Sequence, residues 1–304
     1  MYDLMIIGGG PAGIAASVYD ARKRLNAVLI RGDIGWQVSK TLDIENYLGF
    51  QLVEGPELID KFQTQISKYP IEQKIGEKIT RLDEIEGGFE ATSETGGKYQ
   101  ARAVIFTAGK SPRKLNVPGE AEYTGKGVTY CAICDGPLFA GQKVAVVGGG
   151  NSALEAALDM VKIAEYVNLV SLTQLTGDAI LIDRLKDAKN LTIYLEHRAE
   201  EIEGQEFVQR LFIRDLKTGQ SKQLDVGGVF VEIGLVPNSD AVRHLIKLNE
   251  LGEVPVDCAT RTEVPGLFAA GDVTSVPEKQ IIVAAGEGAK AALQAHRYLQ
   301  HLAK

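Results

Sequence analysis

The chain has 304 residues, 45% hydrophobic and 24% charged, a globular balance with room for two domains of ordinary size. Its net charge of −7 argues against nucleic acid as a partner, because neutralising phosphates takes a basic face. No apolar run is long enough to span a bilayer, and Asp3 stands where a secretory leader carries basic residues, so the sequence reads as cytoplasmic and not membrane-bound.

The first elements read as a βαβ unit: a strand over Asp3–Ile7, a helix from about Pro11 to Arg24 and a strand over Ala27–Ile30. Gly8, Gly10 and Gly13 mark the turn between the first strand and the helix. The stretch "EGPELIDKFQTQISKYP" predicts one helix with Pro56 in its first turn, Pro70 at its end, and Leu58, Phe62, Ile66 and Tyr69 on one face. Alternating strands broken at Gly87-Gly88 and Gly96-Gly97 follow as a β-meander. Leu115 to Glu120 reads as a linker. From Gly127 to about Val236 comes a second αβ unit, in which "QKVAVVGGGNSALEAALDM" echoes the start of the chain. Gly148 and Gly150 repeat the first two glycines, and Ala153 takes the third place. The remainder, through "GLFAAGDVTS" and an Ala-rich terminal helix, returns to the first domain.

The G-x-G-x-x-G spacing permits a tight turn and close approach of a pyrophosphate to a helix N-terminus. Two such turns, each between an apolar strand and a helix, imply two dinucleotides, a flavin and a nicotinamide. Gly271-Asp272 places a carboxylate where it can bind a ribityl or ribose hydroxyl. Lys279, Gln280 and Ile281 open a helix whose N-terminus suits the flavin N1–O2 edge, stabilising the charge of reduced flavin.

"GVTYCAICDGPLF" carries Cys131 and Cys134 two residues apart. Such a pair is half of a zinc site or a redox disulfide. Zinc wants four ligands, and neither Cys258 nor the histidines His197, His244, His296 and His301 form a second pair, so the pattern favours redox chemistry. Asp135 directly follows and is placed to shuttle the proton of the exchanging thiolate. Three cysteines make no structural disulfide framework, and Cys258 reads as a packed thiol.

In order, GGGPAG, "DIENYLG", "TAGKSPRKLNVPGE", "CAICDGPLF", "VVGGGNSALEAALDM", "EIGLVPN" and "GLFAAGD" resemble the low-molecular-weight thioredoxin reductases. They equally resemble the flavin-containing C-terminal part of the bacterial alkyl hydroperoxide reductase flavoprotein. The resemblance covers essentially the whole chain. It implies an α/β fold of two Rossmann-like, three-layer ββα dinucleotide-binding domains, the second inserted into the first. The FAD domain would be 1–115 and 244–304, and the inserted NAD(P)-type domain 116–243. FAD would be held by Gly8, Gly10, Gly13, Gln37, Asn46, Gly271, Asp272, Lys279, Gln280 and Ile281. Cys131 would attack the disulfide of a thioredoxin-like protein while Cys134 faces the flavin. The inserted domain would swing between the two tasks, and the protein would be a homodimer. The N-terminal thiol domain of the peroxide-linked flavoprotein is absent, so the partner would be a separate protein.

The departures from this family bear on the electron donor. NADPH-using members carry a basic cluster after the strand that follows the second glycine helix, but residues 171–183 contain two aspartates and no Lys or Arg. A 2′-phosphate finds no cation there. An NAD site ends this strand with Asp or Glu on the ribose, and here Ser171 stands in that place. The expected donors are NADH, on Gly148, Gly150, Ala153 and Ser171, or, as the resemblance implies from relatives that lack the nucleotide signature, reduced ferredoxin. Trp36, in Gly35-Trp36-Gln37, packs on the cofactor or on the surface, and Arg31 replaces the acid that many FAD proteins place on the adenosine ribose. Two other activities fit the same motifs: a flavin-dependent dithiol oxidase passing electrons to oxygen, and a redox-sensing flavoprotein that docks according to its flavin state.

Overall fold

The computed structural model of the protein describes residues 1–32, 38–40, 44 and 46–302, without the side chains of Lys40, Ile133 and Cys134. The chain forms two compact units. Met1–Ser111 joins the C-terminal stretch from Val236 in one, and Pro112–Leu235 makes the other. The divisions fall a few residues ahead of 115 and 243. Leu115–Glu120 is not a free linker: Leu115 and Val117 pack on the core of the second unit. Glu120, 3% exposed, accepts the backbone N–H groups of Leu115 and Asn116, each at 2.7 Å. A buried carboxylate bonded twice to this backbone fixes it.

In the first unit, seven strands among the described residues make one sheet. Glu72–Ile75, Ala27–Arg31, Tyr2–Ile7 and Lys98–Phe106 run parallel in that order. The first half of Lys98–Phe106 also pairs with the antiparallel hairpin of Ile79–Ile85 and Gly88–Ser93, and its second half with Leu267–Ala269. Its central strands are continuous apolar runs because both faces are covered. Leu4, Ile6, Leu29, Ala103 and Ile105 face a layer containing the helices Pro11–Ala21 and Ile281–Leu302. Met5, Ile7, Val28, Ile30, Val104 and Phe106 alternate with them and face the hairpin side. The first helix ends at Ala21 rather than Arg24, since Arg24 takes a left-handed φ of 58° that closes the turn. The second helix, Gly55–Ile66, starts with Pro in its first turn and buries Leu58, Ile59 and Ile66. It stops short of Tyr69, which follows in a turn.

In the second unit, five parallel strands are ordered Leu191–Tyr194, Tyr166–Val170, Lys143–Val147, Gly228–Val231 and Val128–Thr129. The helix Asn151–Ile163 packs on one face, burying Ala153, Leu154, Ala157 and Met160. An antiparallel meander, His197–Gly204, Val208–Asp215 and Ser221–Asp225, supplies Ile202, Leu211 and Ile213 to the other. Strand, glycine turn and helix thus recur in both units, each putting a helix N-terminus at the carboxyl end of a parallel sheet, where open α/β folds bind ligands.

Candidate active site

In the first unit the glycine turn is dictated by space. A side chain on Gly8, which has φ +119°, would meet the carbonyl oxygen of Thr107 at 2.3 Å. One on Gly13 would meet the carbonyl oxygen of Gly8 at 1.9 Å, so helix and strand touch backbone to backbone. Gly10 has nothing within 4 Å of such a position and leaves a concavity at the helix N-terminus. No side chain caps this helix and Pro11 opens it, so its first amide groups remain directed at that space.

Of the predicted residues from the far end of the chain, Gly271 reaches the same helix start and Gln280 reaches Asn46. Gly271 follows the strand Leu267–Ala269 with φ +77°, and a side chain on it would lie 3.0 Å from the Ala12 methyl carbon. The Gly271 N–H donates to Glu287 Oε2 at 2.8 Å, and burial pushes the Glu287 carboxyl up. Asn46 and Gln280, 234 positions apart, bond Nδ2 to Oε1 at 3.1 Å. Gln280 precedes the terminal helix, its carbonyl accepting the first intrahelical bond from Ala284, and Ile281 packs beside Val53 and Leu58. Gln37 and Trp36 lie outside the described residues.

Beneath this region lies an ion cluster. Glu253 accepts from Lys110 at 2.6 Å, Lys279 at 3.2 Å and Asn249 at 2.8 Å. Burial raises the Glu253 carboxyl, but these donors outweigh it and hold it low. Burial pulls the Lys279 ammonium down, against the pull of Glu253, and Lys279 also donates to the Thr274 carbonyl at 2.6 Å. Burial pushes the Asp272 carboxyl up, and the nearby Lys279 and Lys110 oppose the rise.

In the second unit, Cys131 is disulfide-bonded. It precedes the short helix Ala132–Asp135, in which Cys134 lies, the side chain of Cys134 being outside the described residues. The Cys131 N–H donates to Thr129 Oγ1 at 3.2 Å, and the Thr129 hydroxyl makes a short bond to Asp135 Oδ2. Burial raises the Asp135 carboxyl, with the Thr129 hydroxyl pulling the other way. A carboxyl whose affinity for a proton is raised, beside a disulfide, is suited to giving and taking one. Cys258 is exposed and free, not packed. The Asp257 carboxylate bonds the backbone of Ala259 and Arg261 and the Arg261 side chain, which shapes a surface turn with Cys258 at its tip.

The second glycine turn has the same steric logic. A side chain on Gly148 would stand 2.2 Å from the Glu232 carbonyl oxygen, one on Gly150 would meet only the Thr176 hydroxyl at 3.9 Å, and Ala153 is fully buried in the third place. Ser171 is only 1% exposed, and its hydroxyl lies 2.3 Å from where a Gly149 side chain would stand. It therefore supports the turn from below. The surface beyond it is a recess of about 430 Å³ lined by Leu172, Gln174, Thr176, Glu196 and Lys217, among others. Lys217 is bound to Glu196 in an ion pair, and Gln174 also donates to Glu196 at 3.2 Å.

The family model for pyridine nucleotide-disulphide oxidoreductases matches residues 2–288. The chain belongs to this family. It is a flavoprotein oxidoreductase of the thioredoxin reductase type. It is 41% identical over 303 residues to an alkyl hydroperoxide reductase subunit of Escherichia coli, covering 98% of this chain and 58% of that protein. With the Staphylococcus aureus counterpart it shares 40% over 299 residues, covering 98% of this chain and 59% of that one. The chain thus spans under two thirds of these curated relatives. The crystal structure of thioredoxin reductase from Streptococcus pyogenes superposes with a TM-score of 0.84 at 37% identity, covering 99% of both chains.

Membership of a flavoprotein family implies FAD, and the first unit fits it. The open cradle at Gly10 suits a pyrophosphate, and Gly271 brings the Asp272 backbone against the same helix start. A side chain on Gly288 would meet the Ala12 carbonyl at 1.9 Å, so the terminal helix presses directly on the first glycine helix. Sequence reading missed Glu253, Lys110, Glu287, Glu196, Lys217 and Glu232. Lys110 and Glu232 stand inside the stretches "TAGKSPRKLNVPGE" and "EIGLVPN", but only the folded chain brings each of the six to its partner.

Proposed function

We propose that this chain is an FAD-dependent disulfide reductase that passes electrons through a Cys131–Cys134 disulfide to a thioredoxin-like protein. The observation that carries the reading is the Cys131 disulfide beside the buried Asp135, whose carboxyl burial pushes up, in a flavoprotein of this family. FAD, when bound, supplies a reversible two-electron centre. Gly8, Gly10 and Gly13 would hold its pyrophosphate at the helix start, Asp272 would bind a ribityl hydroxyl, and Asn46, Gln280, Lys279 and Ile281 would hold the isoalloxazine end. Asp135 gives a proton to a cysteine sulfur as the S–S bond opens and takes one as it closes.

The proposed electron donor is NADH or reduced ferredoxin, not NADPH. The recess past the second glycine turn supports this. The cation there, Lys217, is neutralised by Glu196, and a 2′-phosphate would meet that carboxylate. A ribose 2′-hydroxyl would instead find an acceptor in Glu196, doing what an acid at the strand end does in other NAD sites. Anaerobic mixing with NADH, NADPH or reduced ferredoxin, followed by flavin absorbance, tests it. Bleaching by NADH or ferredoxin supports the proposal, and faster bleaching by NADPH than by both refutes it.

A further inference from the structure

Glu232 directly follows the strand Gly228–Val231 and touches both working parts of the second unit. Its N–H donates to Val147 at 2.8 Å, and its carbonyl oxygen takes the space that forbids a side chain on Gly148. Its carboxylate Oε1 accepts the N–H of Ala132 at 3.1 Å, in the peptide group that joins Cys131 to its helix. The backbone of Glu232 is therefore fixed by the sheet while its charge is held on the amide of Ala132, the residue after Cys131. Burial pushes the carboxyl up to about 7, the Ala132 N–H opposes the rise, and the Glu155 carboxylate adds to it.

The other titratable groups on the surrounding elements are engaged elsewhere. On the helix Asn151–Ile163, Asp159 and Lys162 pair with each other, and Lys143 pairs with Glu165. Asp135 is bonded to Thr129, and the strand Gly228–Val231 carries no titratable side chain.

We propose that Glu232 is a positioning residue that couples the redox state of the Cys131 disulfide to proton uptake. This rests on the reading that the disulfide is redox-active. Two electrons, supplied by the flavin in that reading, break the S–S bond. One sulfur takes a proton and becomes a thiol, and the other remains a thiolate, the form that attacks a partner disulfide. That thiolate adds negative charge beside an ionised Glu232, and the carboxyl takes up the second proton. Two electrons and two protons enter, with one proton on a carboxyl oxygen instead of sulfur. While ionised, Glu232 opposes the thiolate, and once protonated it permits it.

The test uses the full-length holoprotein and Glu232→Gln, which keeps an oxygen acceptor for the Ala132 N–H and removes the charge. The disulfide is equilibrated anaerobically with reduced and oxidised dithiothreitol from pH 5.5 to 8.5, and Cys131 alkylation is followed by peptide mass spectrometry. Above pH 7, Glu232→Gln is expected to favour the dithiol, and to speed Cys131 alkylation, by roughly tenfold, one pKa unit. Below pH 6 the two proteins converge. Identical profiles, or a constant offset at every pH as from a purely structural change, would overturn the proposal. Should the variant fail to fold, the wild-type alkylation profile alone must show an inflection near neutrality beyond that of the thiol, and its absence overturns the proposal. A wild-type disulfide that dithiothreitol never opens refutes the functional reading and this inference together. An openable disulfide insensitive to Glu232 refutes only the inference.

Discussion

Replacing Asp20 by Ala is expected to stabilise the protein, and by more as pH rises. Asp20 sits in the last turn of the first glycine helix, 1% exposed, and neither carboxylate oxygen has a hydrogen-bond partner among the described residues. Burial, and next the Asp3 carboxylate, raise it from 3.8 to about 7. A carboxyl whose folded pKa is raised keeps its proton in the folded state while the unfolded chain has released it. Stability is therefore greatest below the unfolded value and falls as pH rises to about 7. The full interval is roughly three pKa units, or about 4 kcal/mol, of which about 2 kcal/mol is lost between pH 5 and 7 and about 3 kcal/mol between pH 5 and 8. A negative charge at a helix C-terminus adds to the penalty. Alanine leaves a small void, costing about 1 kcal/mol at every pH. Thermal melting of wild type and Asp20→Ala at pH 5 and pH 8 separates these effects. The gain at pH 8 should exceed that at pH 5 by about 3 kcal/mol, or roughly 6–12 °C in Tm for a unit of this size. A gain that does not change with pH, or a loss at pH 8, would refute the buried-charge reasoning.

Gly288→Ala should break the contact between the two helices that frame the flavin cradle, because the methyl group lands on the Ala12 carbonyl. It should lower stability by about 1–3 kcal/mol and reduce the flavin retained per chain after gel filtration, read from the visible absorbance. Glu253→Gln leaves Lys110 and Lys279 buried without their shared anion, so a loss of about 3 kcal/mol is expected in denaturant titration. Glu196→Gln frees Lys217 in the recess of the second unit, and the ratio of NADPH to NADH turnover should rise by about tenfold in steady-state kinetics.

Much of the first unit is legible in the sequence because its demands are local. Gly8 and Gly13 are glycines since any side chain would strike backbone, and the apolar strands reflect burial on two faces. The end of the first helix was less legible, because nothing in "ARKRL" marks Arg24 as the residue that turns left-handed. Cys258 misled for a similar reason. Its apolar neighbours suggest a strand, but the Asp257 carboxylate captures the local backbone and makes a turn. Ser171 stands at the expected strand end, yet it is buried with its hydroxyl close under Gly149, and the acid beside the recess comes from Glu196, which adopts φ 56° between two later strands. Glu253 with Lys110, and Glu232 with Ala132, are pairs 143 and 100 positions apart. No periodicity encodes such pairs, and tertiary structure alone reveals them.

The most direct test of the central claim counts electrons. The holoprotein is titrated anaerobically with dithionite, and flavin absorbance and free thiols are followed together. A bound flavin and a redox-active disulfide are each two-electron centres, so the wild type should take up four electrons per chain and reveal two new thiols. Cys131→Ser should bind flavin and accept two. A wild type that stops at two electrons with its disulfide intact, or a Cys131→Ser variant that still accepts four, would contradict the account.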